Sequence, residues 1–176
     1  MRSRLFLATL TAAVLPTLAA AQQSTPVADA FRDFAKYESK NLIAAAELMP
    51  ADKYGFKPTP AQMSFGAIVD HLSQGNDFFC GGIGGKKPPE RAKMAGTDSK
   101  EALVARLKET FDFCEEALEH LDDSKLGEQV PWFGGKTKSR ATAETVTTGD
   151  WADHYSQAAI YLRLNGLLPP TAKKKM

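Results

Sequence analysis

At 176 residues the chain is long enough for one domain and hardly for two. Its 43% hydrophobic and 24% charged residues are those of an ordinary globular protein, which excludes a disordered tail or a coiled-coil rod. Twenty-two Lys and Arg against 21 Asp and Glu leave a net charge of +1, which predicts no long-range attraction to nucleic acid or to an anionic membrane. Two cysteines are too few for a disulfide-dense scaffold or a Cys-only metal site, and three histidines keep any His-based site to a short roster.

Residues 1–21 read as a secretory signal peptide. Arg2 and Arg4 give a basic start, Leu5 to Leu15 an apolar run, and Ala19-Ala20-Ala21 a small-residue cleavage signal before Gln22. The run is shorter than the roughly 20 residues of a spanning helix, and no later stretch approaches that length. The expectation is cleavage after Ala21, a periplasmic or secreted protein, and no stable membrane insertion afterwards. Export also makes a disulfide chemically feasible.

Four helices are expected in the remainder. The first has Thr25 as N-cap and Pro26 at N1, where its missing N–H costs nothing. Val27, Phe31, Phe34, Leu42, Ala45 and Met49 fall on one stripe, which Glu38 and Asn41 interrupt, and Pro50 ends the segment. The second is expected to open on the capping box Thr59-Pro60-Ala61-Gln62 and to close at Cys80-Gly81-Gly82. Phe65, Ile68, Leu72 and Phe79 share its apolar face, with His71 beside them.

A long Gly- and Pro-rich connection follows, so the third helix is free to start at either end of the bundle. Asp98 can cap it with Glu101 at N3, ahead of the stripe Leu103, Leu107, Phe111, Cys114, Leu118 and Leu121. Residues 122–138 read as loop, with no strand alternation. The fourth helix is expected from Ser139 to about Asn165, with Gly166 at C′, Pro169-Pro170 preventing resumption, and 171–176 as a frayed basic tail. The fold class is all-α, a four-helix bundle.

His71 and His154 are the residues that could carry chemistry. His71 lies one residue before Leu72 and should face the interior or its margin, as a hydrogen-bonded core histidine or a metal ligand. Asp150 precedes His154 by four residues, which puts carboxylate and imidazole on one helix face. Those two with a histidine from a facing helix make a three-ligand set with an open position. The plainer alternative is an Asp–His hydrogen bond on a wet surface. Gln157, one turn on, is placed to support His154 as a hydrogen-bonding neighbour.

His120, among acids at the end of helix three, reads as a helix-dipole partner and not a site residue. Arg163 reads as an anchor to a carboxylate, and Glu144 and Asp153 as surface acids. Trp132, Phe133 and Trp151 line the mouth of a site or fill the core.

The string His154-x-x-Gln157, then Tyr161-Leu162-Arg163, Gly166 and Pro169-Pro170 resembles the C-terminal signature of the DinB-like superfamily. Phe65-Gly66 to His71-Leu72 is similar to its helix-two signature, and PWFGGKTKSRATA to its run into the last helix. The resemblance spans about residue 27 to Pro170. It implies an up-down-down-up bundle over residues 22–170 and a divalent metal held by three histidines.

His71 matches the helix-two histidine of that set and His154 the second member of an H-x-x-x-H pair, but Asp150 stands where its first member belongs. Two imidazoles and a carboxylate can hold zinc, nickel, iron or manganese, and the extra negative charge favours harder ions. The same departure fits a decayed site. The implied function is a metal-dependent hydrolase or transferase acting on a small-molecule substrate. The alternative is a non-catalytic exported bundle that binds a small ligand or a protein, and a homodimer stays open.

Cys80 and Cys114 form either a disulfide or two buried thiols. Antiparallel helices two and three would hold them about 24 Å apart at 1.5 Å per residue. The parallel arrangement that the resemblance implies brings them near each other.

Overall fold

Three serines start three of the long helices. Ser64, Ser99 and Ser139 sit in extended backbone, and each side chain accepts the amide of the residue three positions on, Ala67, Ala102 and Thr142, at 3.1, 3.2 and 3.2 Å. Each bond satisfies an amide that has no partner inside the helix. In the computed structural model, which describes residues 25–172, the elements are α1 (Pro26–Leu48), α2 (Phe65–Gly84), α3 (Lys100–Leu118), β1 (Gln129–Trp132), β2 (Lys136–Ser139) and α4 (Arg140–Leu164). The expected signal peptide lies outside the described residues. None of the described helices is long and apolar enough to cross a membrane.

Contacts along the helices give their directions. Asn76 bonds Thr110, Cys80 is joined to Cys114, and Gly84 lies against Ala117, so α2 and α3 run parallel. The Tyr161 hydroxyl donates to the Met63 carbonyl at 2.8 Å while Arg140 donates to that of Ile83, so α4 runs antiparallel to α2. Lys100 reaches the Glu47 carbonyl and Arg32 that of Leu121, so α1 runs antiparallel to α3. The order is up-down-down-up. Its core includes Leu42, Phe65, Ile68, Leu107, Leu118, Trp151 and Leu162, each all but inaccessible. Burying a large apolar side chain stabilises by roughly 1.5–3 kcal/mol.

Parallel packing of α2 on α3 requires close approach of the backbones. A Cβ at Gly84 would lie 2.1 Å from the Ala117 carbonyl oxygen, and one at Gly66 2.3 Å from that of Gly96. This explains why α2 continues through Gly81, Gly82 and Gly84, past the expected stop, to end at Gly85 with a left-handed φ of 67°. Gly84 is the low-propensity residue that lets α2 approach α3, and Gly66 admits the connecting segment at Gly96.

Other expectations need correction. Thr59 to Gln62 form a turn outside the helix: the Thr59 hydroxyl bonds the Gln62 side chain at 3.1 Å, and α2 waits for Ser64. Asp98 does not cap α3, because its carboxylate accepts the Ala95 amide at 3.0 Å and leaves the cap to Ser99. Thr25 turns its hydroxyl to Asp29, so Asp123 caps α1 from afar, accepting the amides of Val27 and Ala28 at 3.1 and 2.9 Å. Val27 is exposed, and its neighbour Ala28 takes the core position.

The segment read as loop contains an antiparallel hairpin that pairs Gln129 with Ser139 and Trp132 with Lys136. Only Val130 among its strand residues is buried, so alternation had almost nothing to mark. Thr171 is no frayed end either: its amide donates to the Tyr155 hydroxyl at 3.0 Å within a short 3-10 turn, Pro170–Ala172. Residues 173–176 of the expected tail lie outside the described residues.

Polar residues also sit where apolar ones were expected. Glu38 and Asn41 do not interrupt the buried face of α1; they belong to it. Glu144 is no surface acid. It is buried, and neither carboxylate oxygen has a hydrogen-bond partner among the described residues. Burial pushes its carboxyl above the usual range, with the Arg140 guanidinium opposing, Asp123 adding to the rise and Arg32 opposing.

A carboxyl raised in the folded state holds its proton after the unfolded chain has released one, so this contribution to stability is lost as pH rises from the ordinary glutamate range through the folded value. Glu144→Gln, which mimics the protonated acid, should therefore gain more stability over wild type at pH 8 than at pH 5. Urea unfolding at the two pH values measures the difference. Equal gains at both would show that Glu144 is ionised in the fold.

Candidate metal centre

His71 on α2 and Asp150 and His154 on α4 come together, with one ligand atom from each lying within 4.8 Å of the others. Two causes position them. Asp150 and His154 are one helical turn apart, so their side chains share a face of α4. His71 meets them because α2 and α4 are antiparallel neighbours, and its ring centroid lies 5.0 Å from that of His154.

The three sites differ in exposure. His154 is buried, Asp150 partly so, and His71 is exposed, at the margin and not in the interior, the two places its position beside Leu72 allows. The centre therefore lies on the rim of the α2–α4 seam, open to solvent on the His71 side.

One hydrogen bond fixes the chemistry of His154. Its Nδ1 lies 2.7 Å from the backbone carbonyl of Asp150, and a carbonyl can only accept. Nδ1 therefore carries a proton, which leaves Nε2 as the ring atom that could take a metal ion. That partner holds the tautomer and ring orientation of a metal-binding imidazole. The Asp150 carboxylate is 3.6 Å from Nδ1, beyond a hydrogen bond, which leaves its oxygens available.

Gln157 does not supply this support. Its amide donates to Asp153 at 2.7 Å, one turn back along the surface. The orienting group is the Asp150 backbone, a partner that residue spacing does not advertise.

The donor set suits a divalent ion. A zinc ion bound by all three would set its donor atoms roughly 3.3–3.6 Å apart, against the 4.8 Å within which they lie here. Two neutral imidazoles with one carboxylate match the facial set of non-haem iron as well as zinc, nickel or manganese.

The surroundings sort the other candidates. Trp151 belongs to the core: it stacks on Phe31 at 5.8 Å and lies 6.0 Å from Phe111 between ring centroids. Its indole N–H donates to the Asn76 side-chain oxygen at 2.8 Å, and Asn76 donates in turn to Thr110 at 3.2 Å. This buried chain links α4, α2 and α3 beside Asp150. Its one mark in the sequence is an Asn within the apolar run of helix two.

Arg163 bonds the Ala159 carbonyl at 3.4 Å and anchors no carboxylate among the described residues. Side-chain exposure of 89% at His120 agrees with leaving it outside the site. A concave surface of about 900 Å³ runs between α1 and α3 past Arg32, Lys36, Arg91, Glu109 and Cys114, and includes neither His71, Asp150 nor His154.

The DinB superfamily model matches residues 36–158, which include all three residues of the centre. The chain belongs to the DinB superfamily. Among solved structures it is similar to a DinB-like protein from Bacillus cereus, at 15% identity over 81% of this chain and 95% of that one, with a TM-score of 0.66. A DinB-like protein from Bacillus subtilis is similar at 16% identity over 82% and 99% of the two chains, TM-score 0.65. The mycothiol-dependent maleylpyruvate isomerase shares 11% identity over 73% of this chain and 59% of that one, TM-score 0.58. These likenesses establish the fold. No curated protein matches the chain.

Proposed function

We propose that this DinB-superfamily member is an exported metalloprotein that binds one divalent ion through His71, Asp150 and His154, and that it acts on a small molecule as a hydrolase or transferase. The observation that carries this reading is the convergence of the three donors from two helices. A divalent ion held there would supply Lewis acidity and lower the pKa of a coordinated water or thiol. The chain's own part is to hold the His154 ring through the Asp150 carbonyl, to contribute one negative charge, and to leave the His71 side open to an incoming molecule.

Export is supported by the Arg2/Arg4 start, the apolar run and the Ala19-Ala20-Ala21 finish, and by a Cys80–Cys114 disulfide suited to an oxidising compartment. The near-neutral charge supports a small-molecule partner over nucleic acid.

Elemental analysis of protein purified without an affinity metal, with melts before and after chelation, tests the centre. Metal at 100 times its Kd should stabilise the fold by about 2.7 kcal/mol. Alanine at His71, Asp150 or His154 should abolish the gain, whereas His120→Ala should keep it. Absence of bound metal together with identical melts would leave an oriented histidine and a bundle that binds by other means.

A further inference from the structure

The stripe of α2 that carries His71 continues through Gly75 to Phe78, at i, i+4 and i+7. Gly75 is not there for packing. A Cβ would lie no closer than 3.9 Å to any neighbour, an ordinary contact, unlike the clashes that Gly66 and Gly84 avoid. Glycine within a helix costs up to about 1 kcal/mol against alanine, so the position gives up stability without a packing return. What it leaves is room: the missing side chain would project beside the Asp150 Oδ2 and the edge of the Phe79 ring, both at 3.9 Å.

Beyond the gap stands an aromatic cluster. Phe133 stacks on Phe78 with centroids 4.4 Å apart and planes 15° from parallel, and its ring meets Phe79 and Trp132 edge-on at 5.6 and 5.4 Å. The hairpin turn holds it there, with left-handed φ of 68° and 71° at Gly134 and Gly135. Phe133 is nevertheless 55% exposed. Three aromatic neighbours thus hold a large apolar ring in place while half of it stays uncovered, on a hairpin whose other exposed residues are mostly polar.

We infer that Gly75, Phe78 and Phe133 form a ledge that makes the metal centre selective for a small molecule with one aromatic ring next to an anionic oxygen group. The inference rests on the metal-centre reading. Two neutral imidazoles, one carboxylate and a divalent ion leave a single net positive charge, which attracts an anionic oxygen. His71 and Phe78 are about 10 Å apart along the helix axis, the span of one ring and its metal-binding group. A flat ring gains most by stacking or edge contact with other aromatics. Phe133 is accordingly a specificity-determining residue.

Titration calorimetry of the zinc-loaded full chain with benzohydroxamate and with acetohydroxamate tests the ledge. Both carry the same metal-binding group and only one carries a ring. Benzohydroxamate should bind at least about tenfold more tightly. Phe133→Ala and Phe133→Leu should bring the two affinities within a few-fold of each other while acetohydroxamate binding and zinc content stay unchanged. Gly75→Leu, which fills the gap, should weaken benzohydroxamate selectively.

Equal affinities in the wild type, or a ring preference that survives both Phe133 substitutions, would overturn the ledge alone and leave the aromatics as an anchor for the hairpin. Failure to load zinc at all would overturn the metal centre, and the ledge with it.

Discussion

Reduction of the Cys80–Cys114 disulfide should lower the unfolding free energy by about 3–4 kcal/mol. The two residues are 34 apart in sequence, their Cα atoms are 5.1 Å apart, and both are buried, so the link closes a long loop between the parallel helices. Most of the loss comes from the unfolded chain, which regains the freedom that the closed loop denies it. For a domain of this size the melting temperature should fall by roughly 10 °C. Melts of the exported protein with and without reductant, compared with a Cys80→Ser/Cys114→Ser variant, measure it. A fall of under about 2 °C in both comparisons would mean that α2 and α3 are held by packing and that the link is incidental.

Replacing Trp151 by alanine should be at least as severe, at about 3–5 kcal/mol. The indole is a fully buried side chain between Phe31 and Phe111, and its N–H satisfies the Asn76 oxygen inside the bundle. The two losses separate experimentally. Trp151→Phe keeps much of the packing but removes the donor, leaving a buried amide oxygen unpaired at about 1–3 kcal/mol. Urea unfolding of wild type and both variants should rank them in that order. If Trp151→Phe matched wild type, the Asn76 bond would contribute nothing and the residue would act through volume alone.

What the sequence disclosed follows from where apolar and polar residues coincide with inside and outside. The Leu103-to-Leu121 stripe is uninterrupted, so α3 could be read directly, and Ser139 and Gly166 mark α4 at both ends. The inner face of α4 was harder, because Arg140, Glu144, Thr147 and His154 are buried there among alanines and aromatics. Buried polar residues blur the periodicity from which faces are assigned. That is why Glu144 looked like a surface acid.

The hairpin escaped for the opposite reason: its strands are nearly all exposed and carry no apolar face. Neighbouring polar residues also compete for a cap, and only geometry decides that Ser99 outranks Asp98.

In the candidate centre, the meeting of the three residues could be anticipated because the Asp150–His154 spacing is local and the family pattern points to His71. For His71 the sequence leaves interior and margin open, since one residue of helical rotation separates the core from the rim, and the fold puts it at the margin. Gln157 was assigned by spacing alone, and Asp153 lies equally close along the helix and captures it.

The helices are unequally tethered. A covalent bond ties α2 to α3, and buried hydrogen bonds through Asn76 join both to α4. α1 contains neither cysteine nor histidine. It is held by an apolar face rich in alanine, by the Asp123 cap and by a few long side chains, with the Glu38 Oε2 and Asn41 Nδ2 atoms unpartnered on its buried side. Sub-global opening begins where the fewest constraints must be released. The amides of α1 should therefore exchange with solvent deuterium ahead of those in α2 and α3, as the first helix swings away from a trio that keeps its cross-link and its three donor residues in register.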